Sequence, residues 1–281
     1  LLPFQKRFTL AFKLITIIVV TACIFFSLTL IFNYYFLREK YIAKARESAK
    51  NLAQSKAEQF ASILHGAEKV AETLATIVAS GPHTEAELIR YLKDAVIYNP
   101  EIYGSAIAFE PYAFKSHLHH FSPYVYREND KTILIYLGTE SYDYFTWRWY
   151  SVPKESNHSL WSEPYIEINN DTVMTTYSVP FFHKDNGKQL FRGVVTADIH
   201  LKKLQNLISS VNIFDDGYAF LLSRDGVFLT VPQKEWIMHQ NIFSASKIID
   251  DPKLEQIGKR MIQGERGFEL IQDFMHHRKA W

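Results

Sequence analysis

From Leu14 to Phe32 the chain carries an uncharged, mostly apolar run, with Lys6, Arg7 and Lys13 before it and Arg38, Glu39 and Lys40 after it. At a 1.5 Å rise, about 20 such residues cross the hydrocarbon of a bilayer, so the pattern predicts a transmembrane helix over 14–36. A secretory signal peptide, the competing reading, has a core of about 7 to 15 residues and a small-residue exit. This run is longer and leaves through Asn33, Tyr34, Tyr35 and Phe36 into charged sequence. The leading basic residues predict a cytoplasmic segment at 1–13, with Tyr34 and Tyr35 at the outer headgroups.

Between Leu37 and Ala79 there is no proline and one glycine, Gly66. Apolar residues recur there at spacings of three and four, including Ile42, Ala49, Leu52, Phe60, Ile63, Leu64, Ala67, Val70, Leu74 and Val78. This is one stripe of a long amphipathic helix over 37–80, continuous with the membrane helix. The stripe can pack on its own domain or on a second copy of itself, as a homodimer seam.

Ser80-Gly81-Pro82 ends that helix, and Thr84-x-x-Glu87 has capping-box spacing for another reaching Tyr98. Beyond Asn99-Pro100 the pattern turns to strands: 102–109, 124–127, 132–137, and a hairpin of 172–180 with 190–199. A short helix follows at 200–210, then strands at 218–222 and 227–231, a helix at 253–262 and a strand at 267–273. The order predicts an α+β fold with two tandem antiparallel-sheet modules, 81–199 and 200–281. Leu1 in place of an initiator Met, and a stop at Trp281 inside a predicted strand, predict a fragment with the second module incomplete.

Charge narrows the chemistry. Lys and Arg total 31 against 30 Asp and Glu, which gives no field to draw the chain to nucleic acid. Cys23, the single cysteine, lies in the apolar run, excluding a disulfide framework and a cysteine metal site. His117, His119 and His120 are close enough to share a metal, but no carboxylate adjoins them in sequence; they and His276-His277 are read as solvated, with no metal and no cofactor expected. No glycine-rich phosphate loop, Gly-x-Ser-x-Gly elbow or His-Glu-x-x-His motif occurs.

Five segments carry a resemblance: Trp149-Tyr150, Trp161-Ser-Glu-Pro-Tyr165, Thr175-Thr-Tyr-Ser-Val-Pro180, Gly193-Val-Val-Thr-Ala-Asp-Ile199 and Gly217-Tyr-Ala-Phe-Leu-Leu222. Their order and spacing resemble the double Cache sensor domains of bacterial receptors, over nearly the whole chain. The resemblance implies two PAS-like modules outside the inner membrane, the distal one binding a small molecule. It further implies a second transmembrane helix beyond Trp281 and a cytoplasmic output, of serine-phosphatase, histidine-kinase or cyclase type, absent from this chain.

The resemblance also implies site residues. Trp149 and Tyr150 match the family's Trp-Tyr pair, Tyr165 its Pro-Tyr position and Asp198 the acid ending the last distal strand; Tyr177 lies in the Thr-Tyr-Ser segment. Aromatic faces hold cations and Asp198 suits an amine; the alternative is core aromatics and a helix-capping Asp198. Two positions depart from the family. Trp147 stands where its amino-acid binders carry an arginine for the ligand carboxylate, and Glu167 stands in place of an aspartate. Arg148 is one place off and, in a strand, would point to the other face. These departures count against an α-amino acid and leave open an amine without a carboxylate or another small molecule altogether. Two rivals stand beside the membrane-bound sensor: a tethered hydrolase using Glu163, Glu167 and Asp198, and a passive dimerisation or adhesion module.

Overall fold

The computed structural model describes residues 10–129, 131–139, 142–166, 173–185, 187–209, 217–269, 271–272 and 279–280. Helix α1, Leu10–Ala79, runs unbroken through both predicted segments. Residues 1–54 and 55–281 are separate compact units. In the first, Leu10, Ile15, Ile18, Phe25, Phe32 and Tyr34 are all exposed. Among the described residues α1 is the one helix long and apolar enough to cross a membrane.

In the second unit the C-terminal part of α1 packs on its own domain, burying Ala67, Ala71, Leu74, Ala75 and Val78, with Phe60, Ile63 and Leu64 at the edge of the core. The helix ends where the Ser80 amide and hydroxyl and His83 Nε2 converge on the Ile77 carbonyl, satisfying an acceptor that a helix terminus leaves open. Helix α2, Glu85–Tyr98, starts with the predicted capping box: Glu87 N–H donates to Thr84 Oγ1, and Thr84 N–H donates to Glu87 Oε2 at 2.8 Å. Its buried face is Leu88, Leu92, Ala95 and Val96. Full burial of each of these leucines contributes about 1.5–3 kcal/mol.

Strands β1 (Gly104–Phe109), β2 (Ser122–Glu128) and β3 (Lys131–Leu137) lead to helix α3 (Arg148–Ser156). Short strands β4 (Leu160–Trp161) and β5 (Tyr165–Ile166) come next, then the long hairpin of β6 (Val173–Asp185) and β7 (Lys188–His200). All pair antiparallel in the order β3-β2-β1-β7-β6-β4, with β5 also on β6. Helices α1 and α2 cover one face through Ile107, Tyr177, Val179, Val195, Ala197 and Ile199. On the other face Ala108 and Val194 meet Tyr144, Trp149 and Tyr150.

Helix α4 (Leu201–Ser209) leads to a smaller module: β8 (Leu221–Leu222), β9 (Phe228–Thr230), helices α5 (Ile242–Ile248) and α6 (Pro252–Ile262), and the pair β10 (Ile271–Gln272) with β11 (Lys279–Ala280). Its core is Phe228, Val231, Ile242, Ala245, Ile249 and Leu254. Helix α6 begins with Asp251 capping and Pro252 in the first turn, where the missing N–H costs nothing. The fold is thus α+β with two antiparallel-sheet modules.

Three predicted elements change and two helices are unpredicted. Residues 148–156 form a helix, so the opposite-face argument for Arg148, which assumed a strand there, falls; Arg148 is the exposed first residue of α3. The large hairpin runs on to Asp185 and Lys188, a shorter connection than the polar stretch 183–188 implied. Strand pairing at 218–222 is confined to Leu221–Leu222, and none is found at 267–269. Helix α5 is unpredicted, because its capping box pairs Asn241 with Ser244 rather than with a glutamate.

Candidate functional site

Side chains alternate along a strand, and in β6 and β7 the positions turned from the helices are Met174, Thr176, Thr196 and Asp198. They floor a cavity of about 360 Å³. The β3 end and following turn wall it with Tyr136, Leu137, Gly138, Thr139 and Tyr142; Trp147 and Trp149 come from the α3 entry and Tyr165 and Ile166 from β5.

Asp198 is 3% exposed. Its Oδ1 accepts from Thr176 Oγ1 at 2.7 Å, and Tyr165 OH lies 2.7 Å from the same hydroxyl. With the threonine proton committed to the carboxylate, Tyr165 donates: a relay from phenol to hydroxyl to acid. Gly104, opposite Asp198 in the ladder, lets the Tyr124 ring lie flat on the strand, since a Cβ there would sit 2.3 Å from the Tyr124 oxygen. Beside it the Ala106 amide donates to Thr196 Oγ1 at 3.0 Å. The pocket floor is therefore wired by side chains as well as by backbone.

The upper wall is a stack of rings. Tyr142 and Trp147 lie face to face at 5.1 Å, and Trp147 meets Tyr165 at 6.3 Å. Trp149 Nε1 donates to Tyr142 OH at 3.3 Å. Helix α3 is fastened by Tyr150, whose hydroxyl donates to Glu110 Oε1 at 2.6 Å, with Lys154 on both oxygens of that carboxylate at 2.8 Å. Burial, then the Glu110 bond, raises the Tyr150 pKa, and burial likewise raises that of Tyr144. Both phenols stay neutral donors beneath the cap. Asn157, left-handed at φ 56°, ends the helix.

Of the sequence-predicted residues, the fold brings Trp147, Trp149, Tyr165 and Asp198 to one cavity. Tyr150 lies among core aromatics and anchors α3. Tyr177 is on the helix side, its hydroxyl donating to Glu72 Oε1 at 3.3 Å. Glu167 lies outside the described residues. Thr176, Thr196, Tyr124 and Tyr142 line the site without having been singled out; the alternation Met174-Thr176 and Thr196-Asp198 was the available signal. No basic side chain lines the cavity among the described residues. Asp143 Oδ1 comes within 3.5 Å of His120 Nε2, a carboxylate distant from the histidines in sequence, yet the described residues gather no group of three metal-ligating side chains.

Residues 88–206 match the family described as methyl-accepting chemotaxis protein-like, first PDC sensor domain. Over 106 residues, 38% of this chain, the sequence is 29% identical to methyl-accepting chemotaxis protein PscA of Pseudomonas syringae pv. tomato, and the match spans 16% of that receptor. The extracellular domain of the proposed histidine kinase mmHK1S-Z2 is 26% identical with a TM-score of 0.69, over 84% of this chain and 89% of that one. The ligand-binding domain of the Pseudomonas aeruginosa PAO1 amino acid chemoreceptor PctC, solved with GABA, shares the fold at 20% identity and TM-score 0.53, over 71% and 79% of the two chains.

Proposed function

Since this chain carries a double Cache sensor domain, of the kind found outside the membrane in chemoreceptors and histidine kinases, we propose that it is the ligand-sensing region of a transmembrane signal-transduction receptor. The apolar part of α1 holds it in the inner membrane, the modules 81–199 and 200–281 lie in the periplasm or outside the cell, and a cytoplasmic domain beyond this chain carries the output. The distal module binds a small amine that has no carboxylate. The observation that carries this reading is Asp198, the one acid among the described residues that line the cavity, buried beneath Trp147, Trp149 and Tyr165. A ligand ammonium pairs with a buried carboxylate through a charge-assisted hydrogen bond, and aromatic faces attract the same charge. A ligand carboxylate would find no described cation there, and Trp147 fills the wall where an arginine would serve it.

Transmission follows from neighbouring residues. Thr176 touches the pocket acid, while Tyr177, next in the same strand, reaches Glu72 on α1. Tyr165 stands four residues after Trp161, whose indole donates to Glu68 Oε1 at 2.8 Å. An amine drawing Asp198 and Tyr165 together biases the seat of Trp161 and Tyr177 on α1, by no more than its differential affinity for the two arrangements. The hydrolase reading has less support: of Glu163, Glu167 and Asp198, only Asp198 lines the cavity among the described residues.

The test is a thermal-shift series on the full chain in detergent, comparing primary and quaternary amines with α-amino acids. A bound amine raises the melting temperature with the logarithm of its concentration. Asp198→Ala is expected to remove that response and keep the unliganded fold. An unchanged response, or an unfolded variant, would overturn the assignment.

A further inference from the structure

A second cavity, of about 390 Å³, opens on the helix side of the distal sheet. Its walls are Phe109, Phe114, Phe181 and Phe182 together with Val78 and Ala79 at the end of α1. Among the described residues, the charged or titratable side chains that line it are basic: His83, His183 and Arg192.

A break in the sheet puts Arg192 there. Phe181 pairs with Gly193 and Phe182 with Phe191, so Arg192 is the extra residue of a bulge, a device that re-aims a side chain. Gly193 makes the bulge possible, because a Cβ there would sit 2.0 Å from the Ala108 carbonyl oxygen. The guanidinium donates to the Ala113 carbonyl, and no described carboxylate is ion-paired with it. Glu110, whose amide donates to the Arg192 carbonyl, has its own carboxylate committed to Tyr150 and Lys154. Glu72, in an adjoining groove, is engaged by Tyr177 and by Lys69 at 3.6 Å. His83 Nε2 is 2.8 Å from the Ile77 carbonyl oxygen and donates to it, leaving the other ring nitrogen for a second partner.

From this cluster we infer that the cavity is a second binding site, for an organic anion: a carboxylate on an aromatic or aliphatic body. Arginine is a permanent cation with a planar fork that matches a carboxylate. The phenylalanines take up the apolar body, and the volume is that of a small-molecule site. The inference does not depend on the amine reading, because no residue is shared between the two cavities.

Benzoate is the probe, and benzamide its uncharged counterpart. With the full chain in detergent, benzoate is expected to raise the melting temperature where an equal concentration of benzamide does not. It is also expected to protect amides of 78–83 and 109–114 from hydrogen exchange. Arg192→Gln removes a charged hydrogen bond and should raise the benzoate concentration needed by about tenfold or more; Asp198→Ala should leave it unchanged. Equal shifts with both probes, a wild-type response from Arg192→Gln, or loss of the response in Asp198→Ala would overturn the inference. If Arg192→Gln does not fold, exposed His183→Gln decides: weaker benzoate binding supports the site, and unchanged binding without protection at 78–83 overturns it.

Discussion

The two faces of the distal sheet are made by the same strands and have opposite chemistry. Towards α1 and α2, β6 and β7 present Tyr177, Val179, Val195, Ala197 and Ile199, close-packed under helices. Away from them they present Thr176, Thr196 and Asp198, beneath a cap of aromatic turns that leaves a cavity. Where α1 and α2 lie on these residues their side chains fill the volume, and the second cavity of this face opens at the end of α1, around Val78, Ala79 and His83. A face covered by the turn after β3, by α3 and by the short β5 can leave a vacancy, and polar groups there gain their meaning from what enters it. Damage to the first face should therefore be read in folding and damage to the second in recognition.

The largest expected effect is Ala197→Asp. Ala197 is fully buried on the helix face, and an unpaired charge there costs several kcal/mol. Circular dichroism should show loss of the cooperative melting transition of the distal module. A native-like melt would show that the helix face is looser than its packing indicates.

Gly104→Ala should cost about 1–3 kcal/mol as an overpacking change, because its new methyl meets the Tyr124 hydroxyl. Gly81→Ala, with nothing within 4 Å, is the control and should leave the melting temperature close to wild type. The two glycines behaving alike would sink the close approach of Tyr124 to the floor of the pocket.

Trp161→Phe keeps the ring and deletes the indole donor to Glu68. About 0.5–1.5 kcal/mol of stability should go, with the amine-induced shift intact. Protection of residues 64–76 on amine binding, read by hydrogen exchange, should fall. If protection there is unchanged, the route from pocket to α1 runs elsewhere.

The smallest effect is at the pocket rim, where Tyr136 OH donates to Glu85 Oε1 at 2.5 Å. That bond, ahead of the Lys115 contacts, holds the Glu85 pKa below its usual 4.5, and it pushes Tyr136 up to about 12. A lowered carboxyl pKa adds stability that is complete above the unfolded value and is lost as pH falls through the folded one. A raised phenol pKa adds stability that is complete below 10 and fades as pH rises to about 12. Tyr136→Phe should flatten both ends of a melting-temperature profile slightly, the pair being near the surface. Steepening at either end would contradict the bond.

Local signals carried much of this reading. The Thr84–Glu87 capping box, the apolar stripe of α1 and the strand alternation of the large hairpin all appear as the residues imply. Each depends on contacts within a few residues, or on a periodicity that burial enforces. Residues 148–156 were not legible in the same way. Their aromatics suit a strand equally well, and what makes them a helix is the packing of Trp149 and Tyr150 on the sheet with Glu110 holding the far side. The site divided similarly: Trp147, Trp149, Tyr165 and Asp198 could be named from their segments, whereas Tyr124, Tyr142, Thr176 and Thr196 reach the cavity only through strand register.

By itself the sequence determined the long apolar helix, the α+β order of elements and the acid and aromatics available for recognition, because hydrophobic periodicity and capping act over a few residues. The tertiary structure alone decided which face each aromatic serves. It turned Tyr177 to α1 and Tyr150 to Glu110, set Thr176 against Asp198, and, through one extra residue in β7, aimed Arg192 into a second cavity. The physical reason is register: a shift of one residue between paired strands moves a side chain from one side of the sheet to the other, and only the assembled ladder fixes that shift.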